Sequence, residues 1–275
     1  MNVPHETLSS AMPAPDLAAL SACLGPLAGA FAVRWVAHCA STNSALLEAP
    51  PDDDGRAHVL VATRQSAGRG RRGRAWLAWP DASLTFSVLW RFAPGAPAPA
   101  GLSLAVGLAL ARALEKLGVP AVALKWPNDV LAHGAKLAGV LVELLPGRDR
   151  ALAAVIGIGI NMRLPAGAVI SGQEGVADLA GELNGALPAR EVLLAAILAE
   201  LHPVLTTYAC AGFDLLRGAW QRRNAFASLP VRVSGEGTDI AGLCLGVDED
   251  GALLVRGDEG TRRVLAGEVS LRLAS

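Results

Sequence analysis

The spacing of apolar and polar positions changes several times along the chain, and each change predicts an element. FAVRWVAH, from Phe31, reads as extended. STNSALLEA after it sets Ser, Thr and Asn ahead of an apolar helical face, the composition of a helix N-cap. Asp52 to Gly55 is a turn signal, and His58 to Thr63 and LTFSVLWRF read as strands on either side of an arginine-rich loop. Residues 101–118 place Leu102, Val106, Ala109, Leu110, Ala113, Leu114 and Leu117 three or four apart and stop at Gly118, which predicts an amphipathic helix. VALKW, KLAGVLVELL and ALAAVIGIGINM then read as strands joined by the turn signals PND, HG and PGRD. Connections this short favour an antiparallel meander. AREVLLAAILAEL, after Pro188, begins a second helical region that Pro203 is expected to kink or end, and it continues through FDLLRGAWQRR.

The two ends differ from this middle. Residues 1–30 are rich in Ala, Pro and Ser with one short helical candidate, Asp16 to Leu24, and read as a loosely ordered lead-in; APGAPAPAG reads as a connector. From Val231 on, VRV, IAGLCLGV, ALLVRG, RRVLAG and EVSLRL are short alternating segments cut by Gly and Asp, which predicts a small barrel-like β-domain beginning near Ser228. The expected division is a lead-in over 1–30, a main domain over 31–227 and a β-domain over 228–275.

Composition narrows the function classes. With 275 residues, 52% hydrophobic and 18% charged, the chain is globular. Its net charge of -1 argues against coating nucleic acid or an anionic membrane, so the arginines of GRGRRGR, Gly68 to Arg74, are a local concentration. Lysine is rare: only Lys116, Lys125 and Lys136 occur, and the last two lie inside motifs. The four cysteines show no metal-site spacing and are expected to be buried free thiols in a reducing compartment. No export signal opens the chain and no apolar run reaches the roughly 18 residues of a membrane span, so the cytoplasm is the default.

Five short motifs carry the candidate chemistry. GRGRRGR combines glycines, which permit close approach and movement, with forked guanidinium donors that match carboxylate or phosphate oxygens. Occurring once between two predicted strands, it fits a mobile anion-binding lid better than a repeated RNA-binding tail. KWPND, Lys125 to Asp129, offers an ammonium, an amide and a carboxylate at a strand end, although as structure alone it is an ordinary turn. Lys136 heads KLAGVLVEL either as a snorkelling strand-end lysine or as a ligand. Period-two geometry puts it opposite Gly139, so both can face one ligand only if the strand start is bent or bulged. In IGIGIN, Gly157 and Gly159 share a face and clear a flat patch of backbone, for a ligand or for packing. Ser41, Thr42 and Asn43 form a cap or bind a polar ring.

In this order, STN, Gln65 with GRGRRGR and Trp76, KWPND, KLAG and GIGIN, followed by GEVSLR, resemble the biotin protein ligase family, the biotin-[acetyl-CoA-carboxylase] ligases, from about Phe31 to the C-terminus. The resemblance implies an α+β catalytic domain with a mixed sheet, like that of class II aminoacyl-tRNA synthetases, followed by a small SH3-like barrel. It implies biotin against Ser41, Thr42, Asn43, Gln65, Arg69, Gly70, Arg71 and Lys136, with Gly139, Gly157 and Gly159 nearby. It implies ATP beside Arg71, Arg74, Lys125, Asn128, Asp129, Lys136 and Asn161, with Trp220 on the adenine. About thirty residues precede the match, so the DNA-binding repressor role of some relatives is not expected. The implied partner is a biotin carboxyl carrier domain; monomer and homodimer are both compatible with the resemblance, and neither DNA nor a membrane is expected.

The implied reaction has two steps. Biotin's carboxylate attacks the α-phosphate of ATP to give biotinyl-AMP and pyrophosphate, and a target lysine then attacks the mixed anhydride. Setting one anion against another requires cations aimed at the reacting oxygens, each worth about 4 kcal/mol at 4 Å and an effective dielectric near 20. Lys136 is the expected bridging cation because a compact ammonium touches carboxylate and phosphate together. Arg71 is expected to assist it and Mg2+ to ride on the phosphates. The loop is expected to close and exclude water from the adenylate. The acceptor lysine, with a free pKa near 10.4, must lose a proton, and Asp129 is either the base or a holder of Mg2+. The rival readings are a lipoate or octanoate ligase of the same fold, which lacks the pairing of GRGRRGR with KWPND, an arginine-rich nucleic-acid-binding module, and a ligand-binding protein without activity.

Overall fold

The computed structural model describes residues 14–76, 82–94, 96, 99–146, 152–165, 167–168, 175–235, 238–267 and 269–274. Helix α1 (Leu17–Leu24) is capped by Asp16, whose carboxylate accepts from Ala19 N at 2.9 Å. Then follow β1 (Phe31–Cys39), α2 (Thr42–Glu48), β2 (Ala57–Gln65), β3 (Ser83–Arg91) and α3 (Leu102–Lys116). Strands β4 (Val122–Lys125), β5 (Asp129–Ala132), β6 (Ala135–Pro146) and β7 (Leu152–Asn161) come next. The short α4 (Leu179–Glu182), the long α5 (Arg190–Ala211) and α6 (Asp214–Gln221) complete the larger part. Strands β8 (Pro230–Gly235), β9 (Thr238–Val247), β10 (Leu253–Gly257), β11 (Gly260–Val264) and β12 (Ser270–Leu273) end the chain.

The first seven strands make one mixed sheet in the order β1-β2-β3-β7-β6-β5-β4, with β1 parallel to β2 and every other pair antiparallel. The expected antiparallel meander is present, with one strand more. Asp129–Ala132, flanked by the turn signals PND and HG, is too short to show a period and reads as turn, yet it pairs on both sides as β5. One face of the sheet is apolar: Phe86, Val140, Ile156, Ile158 and Ile160 are buried in a core shared with α3 and α5. The other face carries a smaller cluster, Leu46, Leu60, Leu89, Ala153 and Val155, where α2 lies on the strands.

Three expectations are corrected here. The described part of the lead-in is not loose: α1 packs on α5, with Leu20 and Leu24 buried in the core. Of the two outcomes expected at Pro203, a kink or an end, the end does not occur: the helix runs 22 residues through it. The lost backbone bond is outweighed by burial of Leu201, Val204, Leu205 and Tyr208 around it. The cysteines are free thiols, but only Cys244 is buried, since Cys23 and Cys210 lie on the outer sides of α1 and α5. Residues 1–13, parts of APGAPAPAG and most of PGRD lie outside the described residues. Helix α5 is long and apolar enough by composition to cross a membrane, but over half of it is buried in this core.

The β-domain expected after Ser228 is a five-stranded antiparallel sheet, β11-β10-β9-β8-β12. It docks through backbone groups. Gln221 Oε1 accepts from Val247 N at 3.2 Å, and the indole N–H of Trp126 donates to Gly251 O at 3.0 Å. Gly251 has φ +77° and a Cβ there would lie 2.8 Å from Gly101 Cα, so this turn admits only glycine.

Candidate functional site

Strand register brings the motifs together. Lys125 on β4 pairs with Asp129 on β5, which pairs with Gly139 on β6, then Gly159 on β7, then Thr85 on β3. Directly opposed residues share a face, so these five form one rung on the side away from the main core. The neighbouring rung runs Leu141, Gly157, Ser87. Lys136 joins the same face because β6 carries one extra residue against β5. The register passes from Val130↔Ala138 to Leu131↔Lys136, leaving Leu137 unpaired and fully buried. This is the bulge that Lys136 and Gly139 required, and the lysine's Nζ and Cε lie 3.3 and 3.2 Å from where a Gly139 Cβ would stand.

Above the rungs lies a cleft of about 810 Å³. One wall is the start of α2, where Ser41 Oγ caps Ser44 N and Thr42 and Asn43 are buried. The arginine-rich loop expected to act as a lid, residues 68–76, folds on itself by an Arg69↔Ala75 bridge and a bond from Gly70 N to Arg74 O at 2.7 Å. The C-terminal sheet contributes Val269 to Leu273. Seven cationic side chains, Arg69, Arg71, Arg72, Arg74, Lys125, Lys136 and Arg272, line the cleft, with Asp129 the one carboxylate among its described lining residues. A site so unbalanced is built for an anion.

Four of these cations are held by neighbours. Lys136 Nζ pairs with Asp129 Oδ1 at 2.6 Å and lies 5.8 Å from the centre of the Trp76 ring. Lys125 Nζ lies 5.4 Å from the centre of the Phe226 ring. Arg71 donates to Asn128 Oδ1 at 3.2 Å and to the carbonyls of Ala266 and Gly267, which ties the lid to the C-terminal domain. Asn128 in turn donates to Val140 O at 2.9 Å. Arg69 pairs with Glu143 at 2.8 Å. Trp76 lies on the glycine floor: a Cβ at Gly159 would come within 2.3 Å of its indole, whose N–H is buried without a partner. Cys39, at the end of β1, is no primed nucleophile, since burial pushes its thiol up and Arg34 only partly counters this.

Most residues expected at the site meet in this cleft: Ser41, Thr42, Asn43, Gln65, Arg69, Gly70, Arg71, Arg74, Lys125, Asn128, Asp129, Lys136, Gly139, Gly157 and Gly159. Two do not. Trp220 is 1% exposed, packed in the core with Leu216 because the apolar stripe of α6 turns inward, and is not among the cleft's described lining residues, whereas Phe226, beside Lys125, is. Asn161 is buried beneath the floor, donating to Ala177 O at 3.0 Å and Lys136 O at 3.3 Å, and so braces the lysine's backbone. Sequence reading missed Thr85, Ser87, Glu143 and Arg272. The first two alternate within an otherwise apolar strand, and Glu143 has the strand parity of Gly139 and Leu141, so period two was the signal.

Residues 40–161 match the Biotin/lipoate A/B protein ligase family, and residues 230–272 match the Biotin protein ligase C terminal domain. The chain is 38% identical to a biotin--[acetyl-CoA-carboxylase] ligase of Paracoccus denitrificans, over 83% of this chain and 96% of that protein. It is 36% identical to the bifunctional ligase/repressor BirA of Escherichia coli, over 78% of this chain and 67% of that protein. Its fold is similar to that of the biotin protein ligase from Aquifex aeolicus solved in complex with biotin and ATP. There the TM-score is 0.74 and the identity 31%, covering 88% of this chain and 99% of that one.

Proposed function

The chain belongs to the biotin protein ligase family, and from that premise we propose that it is a biotin-[acetyl-CoA-carboxylase] ligase. It joins biotin to ATP as biotinyl-AMP and passes the biotinyl group to a lysine of a biotin carboxyl carrier domain. The observation that carries this reading is the bulge in β6, which sets the Lys136 ammonium over a glycine floor in a cleft lined by cations. A carboxylate and a triphosphate repel each other, and this arrangement offsets that repulsion where they would react. We assign Ser41, Thr42, Asn43, Gln65 and the glycines Gly70, Gly139, Gly157 and Gly159 to biotin, and Arg74, Lys125, Asn128 and Asp129 to ATP. Lys136 and Arg71 serve both. Arg69 acts on biotin through the lid, and Asn161 by positioning Lys136.

Among the described residues there is no group of three or more His, Cys, Asp or Glu that would hold a metal. Mg2+ would enter on the ATP phosphates, where it would neutralise their charge. Asp129, paired to Lys136, holds the ammonium in place, and its carboxylate in the cleft would serve either as the base for the acceptor lysine's proton or as a holder of Mg2+. We divide the chain into a catalytic unit over 31–227 and a C-terminal unit over 228–275, with 14–30 packed on the first, and place the enzyme in the cytoplasm. Incubation with biotin, MgATP and a purified carrier domain should add the mass of one biotin to the carrier; no gain in mass would sink the assignment.

A further inference from the structure

At the closed end of the cleft a chain of polar side chains allows every proton to be placed. Asn43 Nδ2 donates to Glu143 Oε2 at 2.9 Å and to Leu141 O at 3.4 Å. A carboxylate and a carbonyl only accept, so the amide has one orientation, with Oδ1 as acceptor. Ser87 Oγ, fully buried, lies 2.5 Å from that Oδ1 and must give it its single proton. Thr42 Oγ1 lies 2.6 Å from the same Ser87 Oγ, whose proton is committed, so here Thr42 donates. Gln65 Oε1 already accepts from Thr42 N at 2.7 Å, which turns its amide nitrogen away. The Thr42 and Gln65 oxygens, 3.2 Å apart, are left as two acceptors with no proton between them. An N–H of a ligand satisfies both. The second oxygen of Glu143 accepts from Arg69 of the lid at 2.8 Å.

We propose that Glu143 is the positioning residue for recognition of the ligand's cyclic-urea head. One carboxylate oxygen orders Asn43, Ser87 and Thr42 so that Thr42 accepts from a ligand N–H, and the other latches Arg69 and the lid over it. The inference rests on the biotin ligase reading, which supplies a ligand whose cyclic urea carries two N–H groups and one carbonyl. Losing Glu143 leaves the Asn43 amide with only its long bond to Leu141 O and free to turn over; Ser87 then turns its proton to Thr42, which converts the acceptor into a competing donor.

The test is a double-mutant cycle on biotin binding by calorimetry, with the full chain. Glu143→Ala should raise the biotin dissociation constant about 30-fold and Ser87→Ala about 10-fold, each from a buried group that loses its stronger partner. The double variant should match Glu143→Ala alone, because both act in one chain. ATP affinity in the same proteins should move less than about twofold. Losses that multiply to about 300-fold, or an equal loss of ATP affinity, would overturn the chain. Glu143→Gln, nearly isosteric, keeps an acceptor for Asn43 but not for Arg69. It should hold biotin within about threefold of the wild type while trypsin cuts the ligand-free lid several times faster. An unchanged cleavage rate overturns the latch. A wild-type chain that does not bind biotin would strike the ligase reading instead, and the cleavage comparison would still decide on the latch.

Discussion

Strands β3, β6 and β7 have two faces that obey opposite rules. On one, Phe86, Ile156, Ile158 and Ile160 are large, buried and interchangeable with other apolar residues of like volume. On the other, Gly157 and Gly159 alternate with those same isoleucines, and Thr85, Ser87, Asp129 and Lys125 occupy the matching positions of neighbouring strands. The backbone is common to both faces, so the core side supplies the rigidity with which the cleft side holds its groups. The bulge at Leu137 joins the two: it buries one more leucine in the core and turns Lys136 towards the cleft.

Substitutions on the two faces should therefore separate binding from stability. The largest effect is expected at Lys136. Lys136→Ala should slow adenylate formation by about a thousandfold, a barrier increase near 4 kcal/mol, with melting temperature nearly unchanged. Near-normal ATP-pyrophosphate exchange in that variant would remove Lys136 from the chemistry. Ile156→Ala, fully buried on the other face, should cost about 3 kcal/mol of stability yet leave the KM for biotin within twofold at a temperature where the variant is folded. A large rise in KM there would mean the faces are not independent. Gly159→Ala places a methyl 2.3 Å from the Trp76 indole, so it should weaken biotin binding about tenfold by displacing the ring and crowding the floor. Unchanged binding would show that the floor has room to spare.

The cleft face was more legible in the sequence than the architecture around it. Glycines, a rare lysine and arginines in an apolar chain announce themselves by type, and the conflict between Lys136 and Gly139 in strand parity meant that only a bent or bulged strand start could put both on one face. Other features depend on partners distant in the chain. Nothing local distinguishes Trp220, turned into the core, from Phe226, which lines the cleft. Helix α1 looks like a lead-in until α5 offers it a surface, and Pro203 looks like a stop until burial on both sides outweighs one lost bond. Glu143 resembles an ordinary strand-edge carboxylate until Asn43, a hundred residues earlier, meets it. These are properties of packing, which periodicity alone does not carry.

The smallest expected effect lies where the two faces meet, at Trp126, which is buried yet lines the cleft and is held by the Gly251 carbonyl of the C-terminal sheet. The turn presenting that carbonyl is shaped by Asp248, whose Oδ1 accepts from Ala252 N at 2.9 Å and Asp250 N at 3.0 Å and whose Oδ2 meets Arg263. Burial alone would raise this carboxyl's pKa, but Arg263 and the two N–H groups prevail and hold it below the usual carboxylate value. A depressed folded value stabilises the fold above the unfolded pKa, near 3.9, and the gain is lost as pH falls through the folded value. Asp248→Asn keeps an acceptor for the turn and removes the charge. It should cost about 1 kcal/mol at pH 7, a modest figure because Arg263 is half exposed, and less near pH 3, as the pH falls from the unfolded value towards the folded one. Thermal melts followed by tryptophan fluorescence at the two pH values measure this. A cost that stayed the same in acid would show that the turn is held by shape rather than charge, and that Trp126 owes its place to the core side alone.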